Sequence, residues 1–290
     1  MRRVAAGILP PMRFAKWQAL GNDYIVLEAR ELPFELTPER VRAICAPHLG
    51  VGSDGILLLS EPANPRYVAE LRIFNPDGSE AELSGNGVRE AILHLREAGW
   101  TDRDEFTVLT AAGEISPEIT GPRTARVAMG RAATASNGYP GGEASGIGRI
   151  EVAGVEREFQ HVSIGNPQCA IEVPEGLEEL DLAAIGPAIE RAPIFPDRTN
   201  VSFWRREGAG IRARIFERGV GETLSSGTGA CGAAVAARLR GADSPITVVL
   251  DGGELDVEIS ADLDIHLTGT AEPVYSGELA APFIERLAAR

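Results

Sequence analysis

Lysine is almost missing from this chain. Of its 28 basic residues only Lys16 is a lysine, and the other 27 are arginines. A pyridoxal phosphate enzyme needs a lysine for its Schiff base. Lys16 stands in an N-terminal stretch that reads as a strand, far from any phosphate cradle, so pyridoxal chemistry is excluded. Cysteine is scarce too: Cys45, Cys169 and Cys231 share no Cys-x-x-Cys spacing, which argues against zinc and for a reducing compartment. The four histidines, His48, His94, His161 and His266, are scattered without metal-ligand spacing, so no metal site is expected. With no Gly-Lys-Ser/Thr anywhere, a phosphate loop of that type is excluded. A net charge of −14 without a basic patch argues against nucleic acid. No run approaches the roughly 18 apolar residues of a membrane span, and the short apolar stretch Val4–Leu9 stops at Pro10-Pro11. A cytoplasmic protein with a disordered leader over residues 1–11 is expected, Met12 being the alternative start.

What is present is ordinary globular composition, 44% hydrophobic and 24% charged, over 290 residues, enough for two domains with real cores. Strands are expected over Phe14–Ala19, Tyr24–Glu28, Gly55–Leu59, Glu70–Phe74, Phe106–Thr110, Glu114–Ile119 and Ala125–Met129. Thr37 with Pro38 behind it starts a helix to about Ala46. A second helix runs from Gly85 to about Ala98, closed by Gly99. Residues 130 to 148, rich in Gly, Ala and Ser, read as a linker. Beyond it come strands near Gly148–Val155, Glu158–Ser163, Gln168–Val173, Asn200–Arg205 and Ile211–Phe216, with a helix near Ala183–Arg191. A last helix, about 227 to 239, is followed by strands up to Tyr275.

The most informative feature is a repeat. Glu80-Ala-Glu-Leu-Ser84-Gly85-Asn86-Gly87 returns as Glu222-Thr-Leu-Ser-Ser226-Gly227-Thr228-Gly229 at an offset of 142, and seven of the twenty columns from 80 to 99 are identical. Each copy puts a hydroxyl and a Gly-x-Gly at a helix start, where free backbone N–H groups and the positive dipole end can hold an anion. Plain capping explains one such serine; two at matched positions of a duplicated domain point to a site. Cys231, in the second helix, reads as a buried small hydrophobe or as a reactive thiol near that site. Glu217-Arg218 reads as a salt bridge or as a grip on an amino acid's ammonium and carboxylate.

These motifs make the chain resemble the diaminopimelate epimerase family, cofactor-independent enzymes of lysine and peptidoglycan biosynthesis. The resemblance runs from Met12 to Tyr275 through Leu20-Gly21-Asn22-Asp23, Gly50-Val51-Gly52, Phe74 to Ser79, Ser84 to Arg89, Gly165-Asn166-Pro167, Asn200 and Glu217 to Thr223. It implies an α+β fold of two pseudo-symmetric domains of similar topology, each a mixed β-sheet or barrel around a central helix, with the active site in the cleft between them. The domains are expected at 12–131, with 275–290 packing back on it, and at 132–274. The family's two-base epimerisation places one catalytic group at each helix start, here Ser84 and Ser226, and needs no cofactor. Asn22, Asn75, Asn166, Asn200, Glu217 and Arg218 match substrate-binding positions, and Gly85, Asn86, Gly227 and Thr228 match the N–H cradles for the α-carboxylate. Gln168 takes a supporting position, and Tyr275 matches a homodimer interface. The partner implied is a small diamino dicarboxylic acid.

The chain departs from the family where its chemistry is concentrated. Serines stand where the resemblance implies cysteines, and Gln168 stands where it implies a histidine. Three readings stay open: a diaminopimelate epimerase with serine bases, a related isomerase acting on a more acidic α-proton, or a catalytically silent amino-acid-binding homologue.

Overall fold

The computed structural model describes residues 11–290 except 153, so all of the expected leader but Pro11 lies outside the described residues. Two compact units appear. The first comprises the chain up to Ala19, Asp23–Arg123 and Ala271–Arg290; the second comprises Leu20–Asn22 and Thr124–Thr270. In chain order the first carries β1 (Met12–Ala19), β2 (Asn22–Glu28, which begins in the Leu20–Asn22 turn), α1 (Pro38–Cys45), β3 (Ile56–Ser60), β4 (Ala69–Phe74), β5 (Glu80–Ala81), α2 (Gly85–Glu97), β6 (Val108–Thr110), β7 (Gly113–Ile115) and β8 (Glu118–Gly121). The second carries β9 (Thr124–Arg131), β10 (Ile147–Val152), β11 (Val155–Ser163), β12 (Pro167–Glu172), α3 (Leu182–Glu190), β13 (Asn200–Glu207), β14 (Gly210–Glu217), β15 (Gly221–Thr223), α4 (Gly227–Leu239), β16 (Ile246–Leu250), β17 (Gly253–Ile259) and β18 (Asp264–Thr270). The chain then returns to the first unit with β19 (Glu272–Leu279) and α5 (Ala281–Ala288).

The duplication read from one motif extends to the whole pairing scheme. In the first unit β2 runs parallel to β3, β3 antiparallel to β4, β4 antiparallel to β5 and parallel to β6, and β6 antiparallel to β7. In the second unit β12, β13, β14, β15, β16 and β17 repeat those relations in the same order. Parallel neighbours need a crossover, and α1 and α3 supply the first one in each unit, while α2 and α4 supply the second. The two central helices, 85–97 and 227–239, keep the 142-residue offset of the motif.

Two expectations change. Strand 114–119 is broken into β7 and β8 because Pro117 has no N–H to give a ladder. The segment 130–148 belongs to the second unit, and the chain passes from the first unit to the second between Arg123 and Thr124. Its small residues supply turns: Thr134 donates to the Ala144 carbonyl at 2.7 Å, and the Tyr139 ring lies 5.3 Å from Phe159 and 5.7 Å from Phe195. Of the sheet or barrel expected in each unit, the open sheet is the form present, within the expected α+β class. The second sheet follows the open order β10, β11, β12, β13, β14, β16, β17, β18, β9, β8. Beyond β9, an isolated bridge pairs Ala133 with Ser163 of β11.

The cores follow from these layers. Met12, Ile25, Leu27 and Ile56 meet Val41 and Ile44 of α1 and Ile284 and Leu287 of α5 in the first unit. In the second, the fully buried Ala230, Ala233, Ala234 and Ala237 make α4 thin enough for β11 to β14 and β16 to β18 to pack on it. Lys16 serves the fold, since its Nζ pairs with Asp23 at 2.7 Å and donates to the Gly52 carbonyl at 2.7 Å. α2 is unusual in burying two charges, Arg89 and Glu90. Arg89 donates to the Gly85 carbonyl at 2.9 Å and to Asn86 Oδ1 at 2.8 Å, folding back over the helix's first turn. Neither carboxyl oxygen of Glu90 meets hydrogen-bond geometry with any group among the described residues.

Burial holds the Glu90 carboxyl well above its ordinary value of 4.5, against the opposing charge of Arg89. A carboxyl raised on folding favours the native state below its unfolded pKa, and that advantage is lost as pH rises through the folded value. Glu90→Gln is therefore expected to raise the thermal unfolding midpoint at pH 7 to 8 and to give no gain at pH 4, as measured by calorimetry across that range.

Candidate active site

In the first unit, Ser84 ends the β5 turn in extended backbone, φ −137° and ψ 120°, and is the N-cap of α2. Its Oγ accepts from the Gly87 N–H at 3.1 Å, the usual capping bond. A second donor comes from β2: the Tyr24 hydroxyl donates to the same Oγ at 3.3 Å. Tyr24 is buried, and its ring lies so close to Gly55 that a Cβ there would come within 2.6 Å of the ring. Gly85 and Asn86 form the first turn, as expected, but the Asn86 side chain is buried and held by Arg89. Asn75 stands in the turn between β4 and β5, donating through Nδ2 to Ser79 Oγ at 3.0 Å.

In the second unit, Ser226 repeats the geometry with φ −141° and ψ 120°, and its Oγ accepts from the Gly229 N–H at 3.2 Å. Gly227 and Thr228 form the first turn of α4. Asn166 donates to Thr228 Oγ1 at 3.3 Å and accepts from Gln168 Nε2 at 2.8 Å, so three of the expected residues form one chain at this helix start. Gln168 is fully buried against α4 at Gly232, and its Oε1 lacks a hydrogen-bond partner among the described residues. Asn200 accepts from the Arg218 backbone N–H at 2.9 Å and donates to the Pro167 carbonyl at 3.3 Å. Its side chain thus ties the Asn166-Pro167 turn to the Glu217-Arg218 loop. Glu217 accepts from Thr223 Oγ1 at 3.0 Å, and the exposed Arg218 guanidinium donates to the Asp197 carbonyl at 2.8 Å. Asn22 belongs to the Leu20–Asn22 turn, which is part of this unit and packs on Leu224, two residues before Ser226. Tyr275 is half-exposed on β19 with its ring edge-on to Phe14.

No cysteine can take over from the serines. Burial pushes Cys45 up to about 11 and Cys169 well above its ordinary value, and Cys231 is wholly enclosed within α4. A cavity of about 530 Å³ in the first unit lies at the other end of α2, around Leu93, Arg96 and Arg123, and plays no part in the Ser84 arrangement. Two residues escaped the sequence reading. Glu190, at the end of α3 and almost wholly buried, accepts from the Gly219 N–H at 2.9 Å and pairs with Arg198 at 2.9 Å, so it anchors the Arg218 loop. No local signal marks it, since its partner lies about thirty residues on. Tyr24 is the other, and it had a signal: Gly21-Asn22-Asp23-Tyr24 aligns with Gly165-Asn166-Pro167-Gln168.

Removing a buried group that serves two backbone partners leaves both unpaired, at about 1–3 kcal/mol each. Asn200→Ala is expected to lower stability by at least that much in denaturant unfolding and to weaken binding of any ligand held by the Arg218 loop; an unfolding curve matching the parent's would remove Asn200 from this framework.

The matches to known proteins cover the same ground. The diaminopimelate epimerase family model matches residues 14–135 and 160–274. The diaminopimelate epimerase of Synechococcus sp. (strain JA-3-3Ab) is 40% identical over 281 residues, covering 93% of this chain and 98% of that protein. That of Thioalkalivibrio sulfidiphilus (strain HL-EbGR7) is 37% identical over 284 residues, covering 92% and 99%. Among solved structures, a probable proline racemase from Agrobacterium radiobacter K84 shares the fold with a TM-score of 0.67 at 17% identity, covering 93% of both chains. With both halves of its repeat inside the family match and relatives aligned along nearly their whole length, the chain belongs to the diaminopimelate epimerase family.

Proposed function

We propose that this protein is an isomerase that interconverts LL- and meso-diaminopimelate by two-base α-proton transfer without a cofactor, in the cytoplasm, as a step of lysine and peptidoglycan biosynthesis. The observation that carries the reading is the matched pair of capped hydroxyls, Ser84 and Ser226, at the equivalent helix start of each unit in a chain of this family. One serine Oγ takes the α-proton from one face of the α-carbon while the other hydroxyl delivers a proton from the opposite face. The N–H groups of Gly85-Asn86 and Gly227-Thr228 receive the α-carboxylate and the charge that builds on it as the C–H bond breaks. Asn22, Asn75, Asn166, Asn200, Glu217 and Arg218 hold the substrate's remaining polar groups. A homodimer formed through the exposed Val274 and Tyr275 of β19 belongs to the same proposal.

The serines set the rate. A thiol has an ordinary pKa of about 8.5, an alkyl hydroxyl lies several units higher, and each unit amounts to about 1.36 kcal/mol. The cap bond from Gly87 or Gly229 strengthens as the oxygen gains charge, yet a helix start contributes only about 0.3–1 kcal/mol in exposed settings. This arithmetic also supports a second reading, a related isomerase whose substrate has a more acidic α-proton.

α-Proton exchange of meso- and LL-diaminopimelate in deuterium oxide, followed by NMR, separates the readings. The parent chain is expected to exchange slowly, and the Ser84→Cys/Ser226→Cys form at least about 100-fold faster, two pKa units' worth. Exchange by the parent without acceleration in the cysteine form would favour another substrate. Absence of exchange in both would overturn the epimerase reading.

A further inference from the structure

We infer that Tyr24 is what makes Ser84 a working base: it takes the serine's hydroxyl proton as Ser84 takes the substrate's α-proton. In the Ser226 half the matching position is held by an amide, Gln168, which bonds to Asn166. The inference rests on the epimerase reading and assigns a residue outside the motifs that identify the family.

Three observations support it. The first is contact: the Tyr24 hydroxyl lies 3.3 Å from Ser84 Oγ. That is long for an O–H···O bond, and catalytic bonds in ligand-free sites commonly tighten on binding. The second is rigidity. With its ring fixed over Gly55 and its side chain buried on β2, Tyr24 keeps the hydroxyl in place without help from the ligand. The third is position. Tyr24 and Gln168 are equivalent under the duplication, three residues after Gly21 and Gly165, both of which hold left-handed backbone (φ +87° and +79°). Each sits at the start of a strand that pairs in parallel, β2 with β3 and β12 with β13. One half therefore has an ionisable phenol on its helix start, and the other has an amide that cannot accept the proton.

The step balances as follows. With Tyr24 as phenolate, the contact reverses and Ser84 O–H donates to the phenolate oxygen. The α-proton passes to Ser84 Oγ, the serine's own proton passes to Tyr24, and the C–H electron pair enters the carboxylate-stabilised carbanion. Ser226 O–H then protonates the opposite face, and water returns a proton to Ser226 and accepts one from Tyr24. The buried Glu90 carboxyl lies by the Tyr24 backbone, with the charges of Arg89, Asp23 and Asp54 acting on it. The rate is expected to rise with pH because the phenolate is the form that accepts the serine's proton. A positioned base of this kind contributes about 10²–10⁴ in rate.

The test is deuterium exchange from meso-diaminopimelate between pH 7 and 10.5 in four forms: parent, Tyr24→Phe, Ser84→Cys, and the two together. Tyr24→Phe keeps the ring over Gly55, and its thermal unfolding midpoint checks that it folds. It is expected to lower the parent's exchange about 100-fold and to abolish the climb with pH. In the Ser84→Cys background, where the thiol is its own base, it should change the rate less than about threefold. The tyrosinate absorbance lost on Tyr24→Phe should titrate at the pH where the parent's rate levels off. An unchanged rate and pH profile in Tyr24→Phe, or an equal loss in both backgrounds, would overturn the inference and leave a packing role. Exchange confined to cysteine forms would overturn it while sparing the epimerase reading; exchange by no form, the Ser84→Cys/Ser226→Cys chain included, would sink both.

Discussion

One hydrogen bond, made twice, carries the local architecture of this site. The N–H of the third helical residue points at the hydroxyl that begins the helix, from Gly87 to Ser84 and from Gly229 to Ser226. The bond satisfies a backbone donor that has no partner inside the helix. It also fixes the serine oxygen with the helix's positive end behind it. A change that freed the hydroxyl would fray the helix start, and a change that disordered the helix would release the hydroxyl. Helix stability and hydroxyl position are therefore coupled at Ser84 and Ser226.

Around that bond the two units spend their polar side chains differently. The first buries a guanidinium, Arg89, to brace the turn of α2, and accepts an unpartnered carboxyl next to it. The second braces α4 from outside, through Gln168, Asn166 and Thr228 in series, with Asn200 and Glu190 holding the neighbouring loop. The same backbone plan thus carries different polar side chains at its two helix starts.

Much of this was legible in the sequence, for identifiable reasons. Serine followed by Gly-x-Gly is a strong helix-start signal, and its recurrence at a fixed offset marked both α2 and α4 with the residues that cap them. Asn166, Gln168 and Thr228 were legible through their motifs and do meet. What stayed hidden depends on non-local pairing. Whether a sheet closes is decided by its edge strands, and a pairing such as the bridge from Ala133 to Ser163 has no local signature. Composition marked residues 130 to 148 as a linker, yet nothing local shows that Tyr139 packs against Phe159 and Phe195 and binds that stretch to its unit. Arg89 and Glu90 look like surface charges on an amphipathic helix; their burial reflects how deeply the helix start sits.

The near-absence of lysine has a practical side, in what can be done to the protein as opposed to what it does. Its single side-chain amine is already engaged between Asp23 and the Gly52 carbonyl. Reagents that seek amines, whether dyes, cross-linkers or resins, meet one side-chain target and disturb the β1–β2 turn when they find it. The 42 side-chain carboxyls offer the opposite: many handles. Labelling or immobilising this protein is best done through its acids.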